Sequence, residues 1–303
     1  PIDEVFEYLK MKIAVYGQTI NSDYSRELSH LFSLLKQKNI EVYIYEPFCR
    51  FMKSECHFLP DVTATFNSGN ELPDEVRFLF SIGGDGTFLK SIHAIKNKPI
   101  PVVGINTGRL GFLSDISIDE IDSAFEQIMT GKYCIDERTV LEIESPGDAF
   151  GDFNYALNEV VVAKQDSGSM INIHVSINGE YLNTYWADGL IISTPTGSTA
   201  YSLSVGGPIL TPDSENIIIS PIAPHNLTVR PILVPDSHTL TLKIEGRGQQ
   251  FLSTVDSRSE SFDFPGILKI RKANFKIKTL RLHGHTFYST LRNKLMWGLD
   301  KRN

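Results

Sequence analysis

Asp85 stands among three glycines at the end of an apolar run, FSIGGDGTFL (residues 80–89). Glycine is the residue that folding orders at the greatest entropic cost. Gly83, Gly84 and Gly86 around one carboxylate therefore mark a place where bare backbone is required. Exposed amides at a helix start attract phosphate. A carboxylate in the same turn repels phosphate, so it needs a task of its own. It can accept a proton from an attacking hydroxyl, or hold a Mg2+ ion that bridges phosphate oxygens. A tight turn with Asp85 capping the next helix is the plainer alternative. The glycine density weighs against it, because one capping turn needs one glycine. The dinucleotide fingerprint G-x-G-x-x-G does not follow the first strand, and no Lys-Ser/Thr ends the turn as in a Walker A loop.

A second stretch, WADGLIISTPTGSTAYSLSVGGPIL (186–210), crowds Thr194, Thr196, Ser198, Thr199, Ser202 and Ser204 around Gly197 and Tyr201. Hydroxyls with exposed amides suit sugar and phosphate recognition, and Ala200 permits close approach of a flat base. A polar loop with a modestly capped helix is the alternative. In NYALNEVVVAK (154–164), Asn158 and Glu159 interrupt an apolar strand. A buried Asn-Glu pair is costly unless hydrogen-bonded, and either a ligand or neighbouring backbone would satisfy it.

These residues need elements to hold them. The first 130 or so residues alternate strand and helix signals. Strands are expected at 12–17, 40–46, 77–82 and 100–106, with helical stripes at Leu28, Leu31, Phe32, Leu35 and at Ile118, Ile121, Phe125, Ile128. The second stripe follows a Ser117–Glu120 capping signature. That alternation predicts a mostly parallel sheet flanked by helices, with the glycine turn at the carboxyl end of a strand, where ligands of such folds sit. From about Glu137 short strands and turns take over. MINIHVSING puts Ile171, Ile173, Val175 and Ile177 on one face and closes on the hairpin signal Asn178-Gly179. Strand-like runs continue through FKIKTLRL, and FYSTLRNKLMWG returns to helical character.

The bulk numbers bound the possibilities. A chain of 303 residues with 41% hydrophobic and 21% charged residues can build two domains. A net charge of −7 argues against a nucleic-acid partner. No apolar run is long enough to cross a bilayer, so no membrane partner is expected. Cys49, Cys56 and Cys134 are too few for a disulfide framework or zinc site and point to a reducing, cytoplasmic setting. PIDEVFEYLK precedes MKIAVYG, so Met11 is expected as the natural start, with the leader outside the fold. His283 and His285 read as surface histidines, and no residue is assigned as a metal ligand.

In order along the chain, GGDGT, LNE (157–159) and DGLIISTPTGSTAYSLSVGGP (188–208) resemble the signatures of the NAD kinase family, and NTGRLGFL (106–113) resembles it too. The resemblance implies an α/β N-terminal domain with a mostly parallel sheet and a β-rich, sandwich-like C-terminal domain. The expected divisions are 11–135, 136–285 and a C-terminal helix over 286–303 that packs back on the first domain. It implies phosphorylation of NAD at the 2′-hydroxyl of its adenosine ribose, with ATP and Mg2+, in a homodimer or homotetramer. Asp85 takes the family's role of general base and orienter of that hydroxyl, with Gly86 beside it. Asn158 and Glu159 match the pair that contacts bound dinucleotide, and Asp188 matches the carboxylate that binds NAD beyond the adenosine. Thr199, Ala200, Tyr201, Ser202, Leu203 and Ser204 match the segment lining the adenine side. Phe112 matches an aromatic near the base, and Ala223 a small residue near the nicotinamide end. Trp186 stands where some relatives carry a basic residue, which leaves Lys90 or Lys164 to neutralise phosphates. Asp256 is a further acidic position whose surroundings carry no clear motif. A non-catalytic NAD(P)-binding regulatory protein and a lipid kinase sharing the glycine turn are the alternatives.

Overall fold

A computed structural model describes residues 11–147, 150–165 and 168–296. The expected leader and residues 297–303 of the expected C-terminal segment lie outside the described residues. Strand Lys12–Gly17 is buried after its first residue, Val102–Asn106 throughout, and Val76–Ile82 except at Arg77. Strands buried on both faces read as continuous apolar runs and belong in the middle of a parallel sheet covered by helices. Here they form the centre of an eight-stranded sheet in the order Ala64–Phe66, Glu41–Tyr45, Lys12–Gly17, Val76–Ile82, Val102–Asn106, Ile277–Leu282, Tyr133–Arg138. Ile116–Ser117 pairs beside Val102–Asn106. The pairings of the first five strands are parallel.

Two helices follow the expected stripes. Leu28, Leu31, Phe32 and Leu35 are the buried face of Ser25–Gln37. Ser117 caps a short 3-10 turn, Ile118–Glu120, that runs into Ile121–Met129 and buries Ile118, Ile121, Phe125 and Ile128. The strand expected over 40–46 stops at Tyr45, because Glu46-Pro47 opens a helix, Glu46–Ser54, that buries Phe48 and Met52. Proline in the first helical turn forfeits no hydrogen bond.

The chain divides into two compact units. One runs up to Asp136 and resumes at Lys278; the other is Glu137–Ile277. The sequence reading continues the β-rich region through FKIKTLRL. The strand Ile277–Leu282 instead pairs in parallel with Val102–Asn106, through Thr279 opposite Val102. Its alternating pattern suits either kind of sheet, so periodicity alone does not assign it.

In the unit Glu137–Ile277, two six-stranded antiparallel sheets enclose one apolar core. Ile171, Ile173 and Val175 face that core from one sheet, and Val160, Val162, Leu190 and Ile192 from the other. Each such side chain contributes roughly 1.5–3 kcal/mol on burial. The hairpin at Asn178-Gly179 has positive φ at both residues, 50° and 86°, as a two-residue turn matching strand twist requires.

Candidate functional site

The apolar strand Val76–Ile82 delivers the chain into Gly83, whose φ of +143° and close approach to Thr87 Oγ1 exclude a side chain there. Gly84 then caps the helix Asp85–Ile95, and its carbonyl accepts from the amides of Thr87 (2.9 Å) and Phe88 (3.1 Å). Asp85 is thus the first helical residue, and its carboxylate does not cap its own helix. It reaches across to the loop 107–114. Oδ2 accepts from the amide of Phe112 (2.9 Å), and Oδ1 from those of Leu113 (3.0 Å) and Ser114 (3.0 Å). Lys294, from the C-terminal helix Phe287–Leu295, donates to Oδ2 at 3.1 Å.

Burial pushes the Asp85 carboxyl up. The Ser114 amide, the Lys294 charge and the Phe112 and Leu113 amides outweigh it and hold the group below its ordinary value. Lys294 also lies 4.7 Å above the Phe112 ring, and Phe112 meets Phe287 at 6.4 Å. The loop can come this close because residue 111 is glycine: a Cβ there would collide with Asp85 Oδ1. Neither Gly111 nor Lys294 is singled out by the sequence reading. The contact between Lys294 and Asp85 joins residues 209 positions apart, beyond any local pattern.

The unit Glu137–Ile277 carries a second anchored carboxylate. Asp256, at φ 53° in the turn between strands Gln250–Val255 and Arg258–Asp263, accepts from three successive amides. They are Leu157 (2.9 Å), Asn158 (2.8 Å) and Glu159 (3.2 Å). Arg258 secures the preceding segment by donating to the carbonyls of Phe153 (2.5 Å) and Tyr155 (2.8 Å). Asn158 and Glu159 are therefore positioned through their backbone, and both are buried. Burial and the neighbouring charge of Asp256 raise the Glu159 carboxyl to about 8, opposed only by the Tyr201 amide. Glu159 Oε2 is buried without a hydrogen-bond partner. Burial pushes the Asp256 carboxyl up too, against its three amides and the Arg258 charge, and one proton between the two neighbouring carboxyls relieves the pair.

The hydroxyl-rich segment is spent largely on its own fold. Thr194 Oγ1 donates to the Leu157 carbonyl (2.5 Å) and accepts from the Gly197 amide (3.0 Å). Ser198 bonds both amide and carbonyl of Leu210, Thr199 donates to the Thr196 carbonyl (3.2 Å), and Ser202 meets Ser220 at 3.2 Å. Thr196 Oγ1 is buried without a partner, while Tyr201 and Ser204 are exposed and Ala200 and Leu203 half-buried. Asp188 lies between strands Glu180–Ala187 and Gly189–Ser193 and pairs with Lys164 at 2.6 Å. Ala223 is exposed with φ 43°.

Of the cations considered for phosphate, Lys164 is thus engaged by a carboxylate, and Lys90 donates to Gln18 Oε1 at 2.8 Å. Trp186 is exposed and lies tilted against the His225 ring, centroids 4.2 Å apart. His285 lies 3.4 Å from Asp115, which raises its proton affinity. Among the described residues no cluster of His, Cys, Asp and Glu is arranged to hold a metal, and no helix is long and apolar enough to cross a membrane.

Two family models match this chain: the ATP-NAD kinase N-terminal domain over residues 13–133 and the ATP-NAD kinase C-terminal domain over 157–282. The NAD kinase of Flavobacterium johnsoniae is 46% identical over 295 residues, covering 97% of this chain and all of that protein. Yeast NADH kinase complexed with NADH superimposes with a TM-score of 0.82 at 22% identity, over 96% of this chain and 89% of that one. An NAD kinase from Archaeoglobus fulgidus in complex with ATP gives 0.72 at 24% identity, over 94% and 99%. At these identities the two structures establish a shared fold.

Two substitutions test the anchoring. Gly111→Ala forces the loop off the Asp85 carboxylate and costs about 1–3 kcal/mol, read as a lowered thermal midpoint. Glu159 binds a proton in the folded state that the unfolded chain gives up near its ordinary 4.5. Wild-type stability therefore falls relative to Glu159→Gln as pH rises from about 4.5 to about 8, and the difference levels off above that. The expected total is on the order of a few kcal/mol, measured by denaturant melts at pH 5 and pH 8. Parallel pH dependence in the two proteins would show that Glu159 is ionised when folded.

Proposed function

This chain belongs to the NAD kinase family and is a kinase, and from that premise we propose that it transfers the terminal phosphoryl group of ATP to the 2′-hydroxyl of the adenosine ribose of NAD. The observation that carries the reading is the anchoring of Asp85. A ribose hydroxyl is a poor nucleophile at neutral pH, so its reaction needs orientation and a destination for its proton. Asp85 supplies both from a fixed position. The hydroxyl oxygen forms a bond to the transferred phosphorus, the bond from phosphorus to the bridging oxygen of ATP breaks, ADP departs, and the hydroxyl proton passes to Asp85. Because its donors hold Asp85 ionised, its main contribution is to align the hydroxyl, with proton acceptance late in the transfer as the hydroxyl becomes acidic.

Mg2+ arrives with ATP as part of the substrate and shields the phosphate charge. Gly84 and Gly86 leave the start of the helix open to phosphate, since a Cβ at either position would meet no atom within 4 Å beyond the adjoining chain. Asn158 and the protonated Glu159 contact the dinucleotide, with Glu159 donating to a ligand oxygen. Asp188, held by Lys164, binds NAD beyond the adenosine, and Ala223 lies by the nicotinamide end. The segment Thr199, Ala200, Tyr201, Ser202, Leu203 and Ser204 lines the adenine side, and Phe112 faces the base. Because Ser202 and Thr199 spend their hydroxyls internally, this segment contributes shape and backbone groups more than hydroxyl contacts.

The test is NADP formation from NAD, ATP and Mg2+ in a coupled assay, wild type against Asp85→Asn. Turnover is expected to fall by about 10²–10⁴-fold. The amide of that variant turns an NH2 toward the Phe112 amide or the Lys294 ammonium, so its thermal midpoint falls as well. Turnover must therefore be compared well below that midpoint. Wild-type turnover there removes Asp85 from the chemistry.

A further inference from the structure

A carboxylate offers about four acceptor positions. On Asp85 all four are taken: two on Oδ1 by Leu113 and Ser114, two on Oδ2 by Phe112 and Lys294. A substrate hydroxyl can donate to this carboxylate only if one donor leaves. Three of them are backbone amides of consecutive residues in a loop that closes on itself. The Gly111 amide donates to the Ser114 carbonyl (3.0 Å), the buried Asn106 side chain donates to the same oxygen (3.2 Å), and Leu113 and Ser114 are buried. Moving any of them breaks that packing.

Lys294 differs in every respect. Its ammonium ends a flexible stem, and its side chain is 32% exposed. The start of its helix is pinned within the same unit. Thr286 and Ser289 cap it reciprocally, Phe287 packs on Phe112, and His285 pairs with Asp115. Arg281 bonds both Asp136 and the His285 carbonyl. In the last turn Arg292 through Met296 are exposed, and Lys294 itself meets Asp85 and the Phe112 ring.

We propose that Lys294 holds, on Asp85, the acceptor position that the substrate's hydroxyl must take, so that the last turn of the C-terminal helix gates the carboxylate. This rests on the preceding reading that Asp85 receives that hydroxyl. Before substrate arrives the ammonium keeps the carboxylate ionised and aligned. The hydroxyl enters by replacing it, and part of the hydroxyl's binding free energy is used in the exchange. Lys294 is therefore a positioning residue, and its removal makes the hydroxyl count for more in binding.

The experiment titrates the full chain, without ATP, with NAD and with an NAD analogue lacking the adenosine 2′-hydroxyl. The readout is the ratio of the two Kd values, analogue over NAD, because the loss of one positive charge affects both ligands and cancels. In Lys294→Met this ratio rises roughly tenfold over wild type, the scale of one hydrogen bond to a charged group. Lys294→Leu, a second variant without a donor, gives the same rise, and Lys294→Arg stays near wild type. An unchanged or smaller ratio in the neutral variants overturns the gate. Asp85→Asn checks the premise separately. If it leaves the wild-type preference for the hydroxyl intact, Asp85 does not receive that group and both readings fall. If it abolishes the preference while Lys294→Met leaves the ratio unchanged, the gate alone falls.

Discussion

Each unit of this chain is organised around a carboxylate held by three consecutive backbone amides. Asp85 takes those of Phe112, Leu113 and Ser114; Asp256 takes those of Leu157, Asn158 and Glu159. Hydrogen bonds to an ionised acceptor, as Asp85 is, are shorter and stronger than neutral ones. Losing the acceptor would also strand three donors at once, each at a desolvation cost of about 1–3 kcal/mol where buried. The anchor therefore fixes a loop rather than a single contact. In one unit it sets the 107–114 loop against the glycine turn, and in the other it sets the Asn-Glu pair against the turn that follows strand Gln250–Val255. Asp85 and the Asn158–Glu159 pair of the proposed reaction are presented by these two devices.

The same count of donors separates the two acidic groups that matter most. Asp85 has four donors and sits below its ordinary carboxyl value. Glu159 has the Tyr201 amide, a neighbouring carboxylate and an unpartnered buried oxygen, and rises to about 8. Two carboxyls in environments that push their proton affinities apart can take acceptor and donor roles at one pH. In the proposed reaction Asp85 accepts from a hydroxyl and Glu159 donates to a ligand oxygen. Asp256 matters to that division twice, through its charge beside Glu159 and through its grip on the backbone of the pair.

Most of the architecture is legible in the sequence because it is periodic and local. Buried strands read as apolar runs, helix faces as 3–4 spacing, and the turn at Asn178-Gly179 as a hairpin. What escapes has no local signature. The strand Ile277–Leu282 alternates as a sandwich strand does, yet completes the parallel sheet, because its partner Val102–Asn106 lies far back in the chain. The helix Glu46–Ser54 hides behind the aromatic strand before it. At the candidate site the sequence shows the motif residues but not their supports: Asp256 is one acid among many until its amide partners are seen, and Lys294 is one lysine in a basic stretch. The hydroxyls of residues 194–202 are legible as residues but not as the bonds they make. Ser and Thr satisfy nearby backbone readily, and here they hold the segment's own turns.

The glycines around Asp85 divide into two kinds, and the division bears on what the turn is for. Gly83 and Gly111 are fixed by the protein itself, one by its φ of +143° beside Thr87 and the other by the carboxylate pressed against it. Substituting either disturbs packing whether or not a ligand exists. Gly84 and Gly86 are under no such constraint, since a methyl group at either would touch nothing within 4 Å beyond the adjoining chain and neither has φ in the left-handed range. Glycine at a helix start is also less favourable than alanine by up to about 1 kcal/mol where the position is helical, as it is for Gly86. Glycine at these two positions leaves room that the fold itself does not fill. That room lies on the backbone immediately flanking Asp85, which is where a transferred phosphate and its hydroxyl acceptor would have to meet.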